Sequence, residues 1–88
     1  MKQNKYTIIN SLGIHARPAA EIAKISSQYI SNITLLGNNK KANAKSLLMI
    51  MSLGIKTGQE LTVAVEGADE DKAIEALDTL ITNNFYED

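Results

Sequence analysis

In the segment ELTVAVE, residues 60–66, Leu61, Val63 and Val65 alternate with Thr62 and Ala64. That period of two belongs to a strand buried on one face only. Such a strand constrains the fold: its sheet keeps one face in water and needs other elements laid over the second. Further strand patterns occur in KYTIIN, with Tyr6 and Ile8, and from Asn32 to Leu36, with Ile33 and Leu35 on one side. GNNKK reads as a hairpin turn into KANA, a short edge strand poor in apolar residues and set among lysines.

The cover comes from stretches of helical period. From Ala16 to about Ser27 the apolar residues Ala19, Ile22, Ala23 and Ile25 share one stripe. Ser46 opens a short helix, LLMIMS, that stops near Gly54, and KTGQ is a turn. Asp69 is placed to N-cap a last helix with the stripe Ala73, Ile74, Leu77, Leu80 and Ile81, and NNFYED reads as its frayed end. The order β-α-β-β-α-β-α implies an α+β, open-faced β-sandwich in one domain, residues 1–88.

Several classes of chemistry are excluded by content. The chain has no cysteine, so disulfides and thiolate zinc sites are out, and its one histidine cannot form an imidazole cluster. No metal and no cofactor is expected. No apolar run approaches the ~18–20 residues of a membrane span, and no secretion pattern opens the chain. A cytoplasmic location is the expectation. Net charge is −1, but unevenly spread. In residues 1–59 seven lysines and Arg17 stand against Glu21 alone; in residues 60–88 nine acids stand against Lys72. Few aromatics and no dense basic cluster argue against direct nucleic-acid binding, whereas the asymmetry fits either a solvated acidic C-terminal helix or an end bearing His15 that meets acidic proteins or a phosphate.

The only histidine, the only arginine and the only proline fall within four residues, His15, Arg17 and Pro18, behind Gly13. Each alone has a plain structural use, as a cap, a surface charge or a helix starter. Together they mark a helix start. Proline in a first turn gives up an N–H that had no partner, and Gly13 lets the incoming chain turn sharply. The amides of Ala16 and Arg17 then face outward as an anion site. Partial positive charge there favours a neutral imidazole, whose lone pair is a nucleophile. A phosphoryl group taken by His15 would land among those amides and within reach of Arg17. No GxxxxGK[ST] loop is present, so the chain is not expected to take the group from ATP unaided; it would receive it from one protein and give it to another.

Ser46 has two uses. It can cap its helix, and a phosphate on it would sit at a helix N-terminus, adding about −1.5 to −2 charges. At ~100° per residue, Met49, Ile50 and Leu53 share one arc of that helix while Leu47, Leu48 and Met51 occupy another. A short helix on a sheet cannot bury both, so Leu47, Leu48 and Met51 are expected to form an exposed patch that partners grip.

The segment NSLGIHARPAAEIAK resembles the active-site signature of HPr, the histidine phosphocarrier family of the phosphoenolpyruvate-dependent sugar phosphotransferase system. Gly13 through Ala19 match the family pattern throughout, and KSLLMIMSLGI and GADEDKAIEAL share its character. The resemblance implies a four-stranded antiparallel sheet with three helices on one face. It implies that His15 is phosphorylated on Nδ1 by Enzyme I and donates to EIIA domains of sugar permeases, with Arg17 stabilising the phosphate. It also implies Ser46 as the target of an HPr kinase/phosphorylase, the product serving a CcpA-type regulator. Leu12 departs from the Ser or Asn common before the glycine, and Leu48 and Met49 depart near Ser46. Three alternatives stand beside this reading: a nitrogen-branch paralogue, which Leu12 suggests; a regulatory module acting through Ser46 and its helix; and a small hydrolase using His15 with Glu66 or an aspartate.

Overall fold

The computed structural model describes residues 1–86. Four strands, β1 (Lys2–Thr7), β2 (Asn32–Gly37), β3 (Lys40–Asn43) and β4 (Glu60–Glu66), form one sheet in the order β1-β4-β2-β3. Every neighbouring pair is antiparallel. Three helices, α1 (Ala16–Ser26), α2 (Leu47–Ser52) and α3 (Glu70–Thr82), cover one face. α1 packs between the other two, α2 lies towards β3, and α3 lies over β1 and β4. This is the open-faced arrangement that the alternation in ELTVAVE demands.

Register turns the period of two into a core. Leu35 sits opposite Val63 and Ile33 opposite Val65, so their side chains share the covered face with Leu61. Ala19 and Ile22 of α1, Ile50 of α2, and Ala73, Leu77, Leu80 and Ile81 of α3 close over them, all buried. Ile74, placed by sequence in the same stripe, is only partly buried at its edge. The β2–β3 turn is the two-residue Asn38–Asn39, both with positive φ (50° and 62°), which matches the right-handed twist of the strands. β3 buries only Ala42, and the lysines beside it keep that edge exposed.

Four sequence expectations are corrected. β1 begins at Lys2 and ends at Thr7 instead of running on to about Asn10. The chain leaves the ladder there because Ile8 is held by the next loop, its N–H bonding Gln59 O at 2.9 Å and its carbonyl accepting from Gly58 N at 2.7 Å. The C-terminal NNFYED is not frayed where it is described: Asn84–Tyr86 form a 3₁₀ turn and Phe85 enters the core. Glu87 and Asp88 lie outside the described residues. Met49 does not share the buried side of α2; it is 43% exposed, because it lines an open concavity with Ala42 and Asn43 of β3 instead of entering the core.

Asp69 occupies the N-cap position of α3 but makes no side-chain cap bond. Its carboxylate instead accepts the N–H groups of Ile30 (2.9 Å) and Ser31 (3.0 Å) and the Ser31 hydroxyl, clamping the α1–β2 loop to the start of α3. Gly67 makes the close approach possible, since a Cβ there would stand 2.7 Å from Ser31 Cα. The hydrogen bond from Ser31, helped by the two backbone donors, lowers the Asp69 pKa below the ordinary aspartate value. A carboxylate with a depressed folded pKa stabilises the fold above its unfolded pKa of about 3.9 and loses that contribution as pH falls through the folded value. The urea midpoint should therefore drop on acidification below about pH 4, and Asp69→Asn should lower the midpoint at neutral pH while flattening that acid limb.

Candidate functional site

The loop between β1 and α1 is built around a tight turn. Gly13 N–H bonds Asn10 O at 3.0 Å, and the buried Asn10 returns its Nδ2 to Gly13 O at 2.5 Å. Gly13 has φ +64° and lies flat on the segment after α2: a Cβ would stand 2.5 Å from Ile55 O and 2.7 Å from Lys56 Cα. Two further bonds tie the segments together, Ile14 N–H to Ile55 O at 2.9 Å and Thr57 Oγ1–H to Asn10 O at 2.5 Å. Ile14 is buried as an anchor immediately before the histidine.

His15 follows as the N-cap of α1, in extended backbone (φ −89°, ψ −168°), half-buried, with no side-chain cap bond. Its carbonyl accepts the first intrahelical bond, from Ala19 N–H at 3.1 Å. Ala16 and Arg17 open the helix, so neither amide has a carbonyl one turn back to bond. Pro18 stands third and is buried, its missing N–H costing nothing at that position. The structure thus brings together an imidazole-bearing residue, two outward amides and an exposed guanidinium. Among the described residues, no carboxylate pairs with Arg17.

Ser46 lies elsewhere. Its Oγ accepts Met49 N–H at 3.3 Å, a side-chain cap on α2. Lys45 beside it reaches Tyr29 O, beyond the C-terminal end of α1, at 2.7 Å. The opposite end of α2 leads through Ile55 into the His15 loop. Ser46 and His15 therefore stand at opposite ends of α2, a helix of six residues and roughly 9 Å. Between them Leu47 (42% exposed), Leu48 (80%) and Met51 (43%) turn to solvent. Glu66, considered as a partner for His15, is at the far end of β4: it pairs with Asn32, whereas Glu60 pairs with Thr7 near the His15 loop.

Sequence reasoning missed the support. Asn10, Ile55 and Thr57 hold the loop, yet nothing local to KTGQ announces a contact with a turn 47 positions earlier. The layer order also gives the charge imbalance a shape. Glu70, Asp71, Glu75 and Asp78 lie on α3 at one side, and Lys40, Lys41 and Lys45 at the β3 side, with α1 between.

A family model described as the PTS HPr component phosphorylation site matches residues 2–83. This chain belongs to the HPr family. It is 46% identical over 82 residues to the phosphocarrier protein HPr of Lysinibacillus sphaericus, covering 93% of each chain. Against the HPr of Mycoplasma capricolum the identity is 46% over 70 residues, 80% of this chain and 79% of that one. A crystal structure of HPr from Thermoanaerobacter tengcongensis superposes with a TM-score of 0.94 at 44% identity, covering 100% of this chain and 99% of the other. The HPr fold is thus shared along the whole length, and the phosphotransferase system is where such a phosphocarrier belongs. Among the described residues, no helix is long and apolar enough to cross a membrane.

The bracing makes Gly13 the most sensitive point of this HPr loop. Gly13→Ala places a methyl group against backbone atoms and forces an alanine to positive φ, costing about 2 kcal/mol or more. A lowered melting temperature, together with faster amide exchange at Ile14, is the expected outcome; unchanged exchange there would show that the loop does not depend on the contact.

Proposed function

We propose that this HPr-family chain accepts a phosphoryl group on His15 Nδ1 from phospho-Enzyme I and passes it to EIIA domains of sugar permeases, in the cytoplasm. The observation that carries the reading is the position of His15 as an extended N-cap directly ahead of two outward amides and Arg17. In the first transfer the ring nitrogen's lone pair forms an N–P bond as the bond from phosphorus to the donor breaks. In the second the N–P bond breaks, its electron pair returning to the ring nitrogen, as a nucleophile of the acceptor bonds phosphorus. The negative oxygens that arrive are met by the Ala16 and Arg17 amides, the positive end of α1 and the guanidinium. None of this requires a cofactor or metal. The chain is a carrier between proteins, not a stand-alone enzyme, and binds neither nucleic acid nor membrane directly. Incubation with phosphoenolpyruvate and Enzyme I should yield one acid-labile, alkali-stable phosphate. His15→Ala should take none, and Arg17→Ala should slow labelling about tenfold through loss of a charge-assisted hydrogen bond; an His15→Ala protein that is still labelled would falsify the proposal.

Regulation belongs to the other end of α2. Ser46 is proposed as a site for an HPr kinase/phosphorylase, with the modified protein read by a CcpA-type regulator. Its hydroxyl already sits at the amides of the α2 start, so a phosphate there is stabilised without refolding. The added charge stands at the edge of the Leu47, Leu48 and Met51 face, which is proposed as the docking surface, and repels an acidic donor protein. Ser46→Asp should therefore raise the KM for transfer from Enzyme I about threefold to tenfold, with the far-ultraviolet circular dichroism spectrum unchanged. Equal KM values for the two proteins would remove Ser46 from the docking surface.

A further inference from the structure

The tip of the turn before His15 carries an apolar side chain that neither the core nor the proposed phosphate site uses. Leu12 is 71% exposed, three residues before the histidine. The turn cannot fold it away, because Asn10 and Gly13 are bonded to each other and Thr57 holds the Asn10 carbonyl. A leucine side chain has no hydrogen-bond donor, so Leu12 can contribute nothing to holding a phosphate. Its remaining capacity is contact with another apolar surface.

The surroundings describe that surface. Residues 8–18 and 53–59, the two segments that brace each other here, contain Arg17 and Lys56 and no acidic residue. Both cations are exposed, and the Lys56 backbone lies directly behind Gly13. We infer that Leu12 is a specificity-determining contact for the protein that delivers the phosphoryl group to His15, and that the surface it meets is apolar with an acidic rim. The inference rests on the phosphocarrier reading. A protein that brings phosphorus within bonding distance of His15 covers the turn three residues away, so Leu12 is desolvated in that encounter. A polar surface opposite would leave its own groups unpaired, whereas an apolar one gains from the contact. Because the turn is already rigid, little ordering entropy is lost on docking. Leu12 touches the partner and not the reacting atoms, so it acts on the encounter and leaves the transfer step alone.

The test compares wild type, Leu12→Ser, Leu12→Gln and the conservative Leu12→Met with two phosphoryl donors, phospho-Enzyme I and phosphoramidate. The second is a small molecule with no surface to dock. Transfer from Enzyme I should show KM raised about tenfold in both polar variants, kcat unchanged, and most of the loss restored in Leu12→Met. Labelling by phosphoramidate should be the same in all four, and equal melting temperatures would show that the polar variants fold. Unchanged KM overturns the inference, as does an equal loss with both donors, which would place Leu12 at the phosphate. Failure of wild type to be labelled by either donor would instead overturn the phosphocarrier reading on which it rests.

Discussion

The contact of the Gly13 turn with the Ile55–Thr57 segment holds the candidate site in place. An N-cap residue is presented usefully only if the chain before it is fixed, and an eight-residue approach from a strand to a helix, residues 8–15, has little cohesion of its own. Here the fixing comes from a distant segment. Ile14 bonds Ile55, Thr57 bonds the Asn10 carbonyl, and Gly13 permits an approach too close for any side chain. The same contact brings the end of α2 to the His15 loop, so one junction sets both the position of the imidazole-bearing residue and the helix face beside it.

The sheet and its cover serve that junction. β4 is flanked by β1 and β2, and its alternation of Leu61, Val63 and Val65 seats all three helices on one side. With α1 between α2 and α3, the N-terminal end of α1 opens to solvent beside the exposed arc of α2. Glu70, Asp71, Glu75 and Asp78 lie on α3 and Lys40, Lys41 and Lys45 on the β3 side, while Lys2 of β1 pairs with Asp71. A protein that approaches the His15 end meets Arg17, Lys56 and apolar groups, with Glu60 at the adjacent end of β4 as the nearby acid.

Much of this was legible beforehand because it is local. The period of two in ELTVAVE, the stripe Ala19–Ile22, the paired asparagines of the turn and the Ser46 cap each depend on neighbours a few residues away. The cluster of His15, Arg17 and Pro18 was legible for the same reason: a helix start is a local event, and HPr membership follows from those residues and their matching surroundings. Asp69 shows the limit. Its position at the start of α3 was readable, but its carboxylate was drawn to Ser31 and Ile30, a loop that only folding brings near. Phe85 likewise reads as part of a polar tail until the core offers it a place.

The sequence by itself determined the order and type of the strands, helices and turns, and which residues are candidates for phosphoryl chemistry, since these follow from backbone preference, side-chain period and residue type over short distances. Only the tertiary structure decided what those residues stand against: that Met49 stays half-exposed in a concavity beside β3, that Ser46 and His15 occupy opposite ends of one helix, and that Leu12 is held out in water. Each of these outcomes depends on contacts between segments tens of residues apart, and the sequence near one partner carries no record of the other.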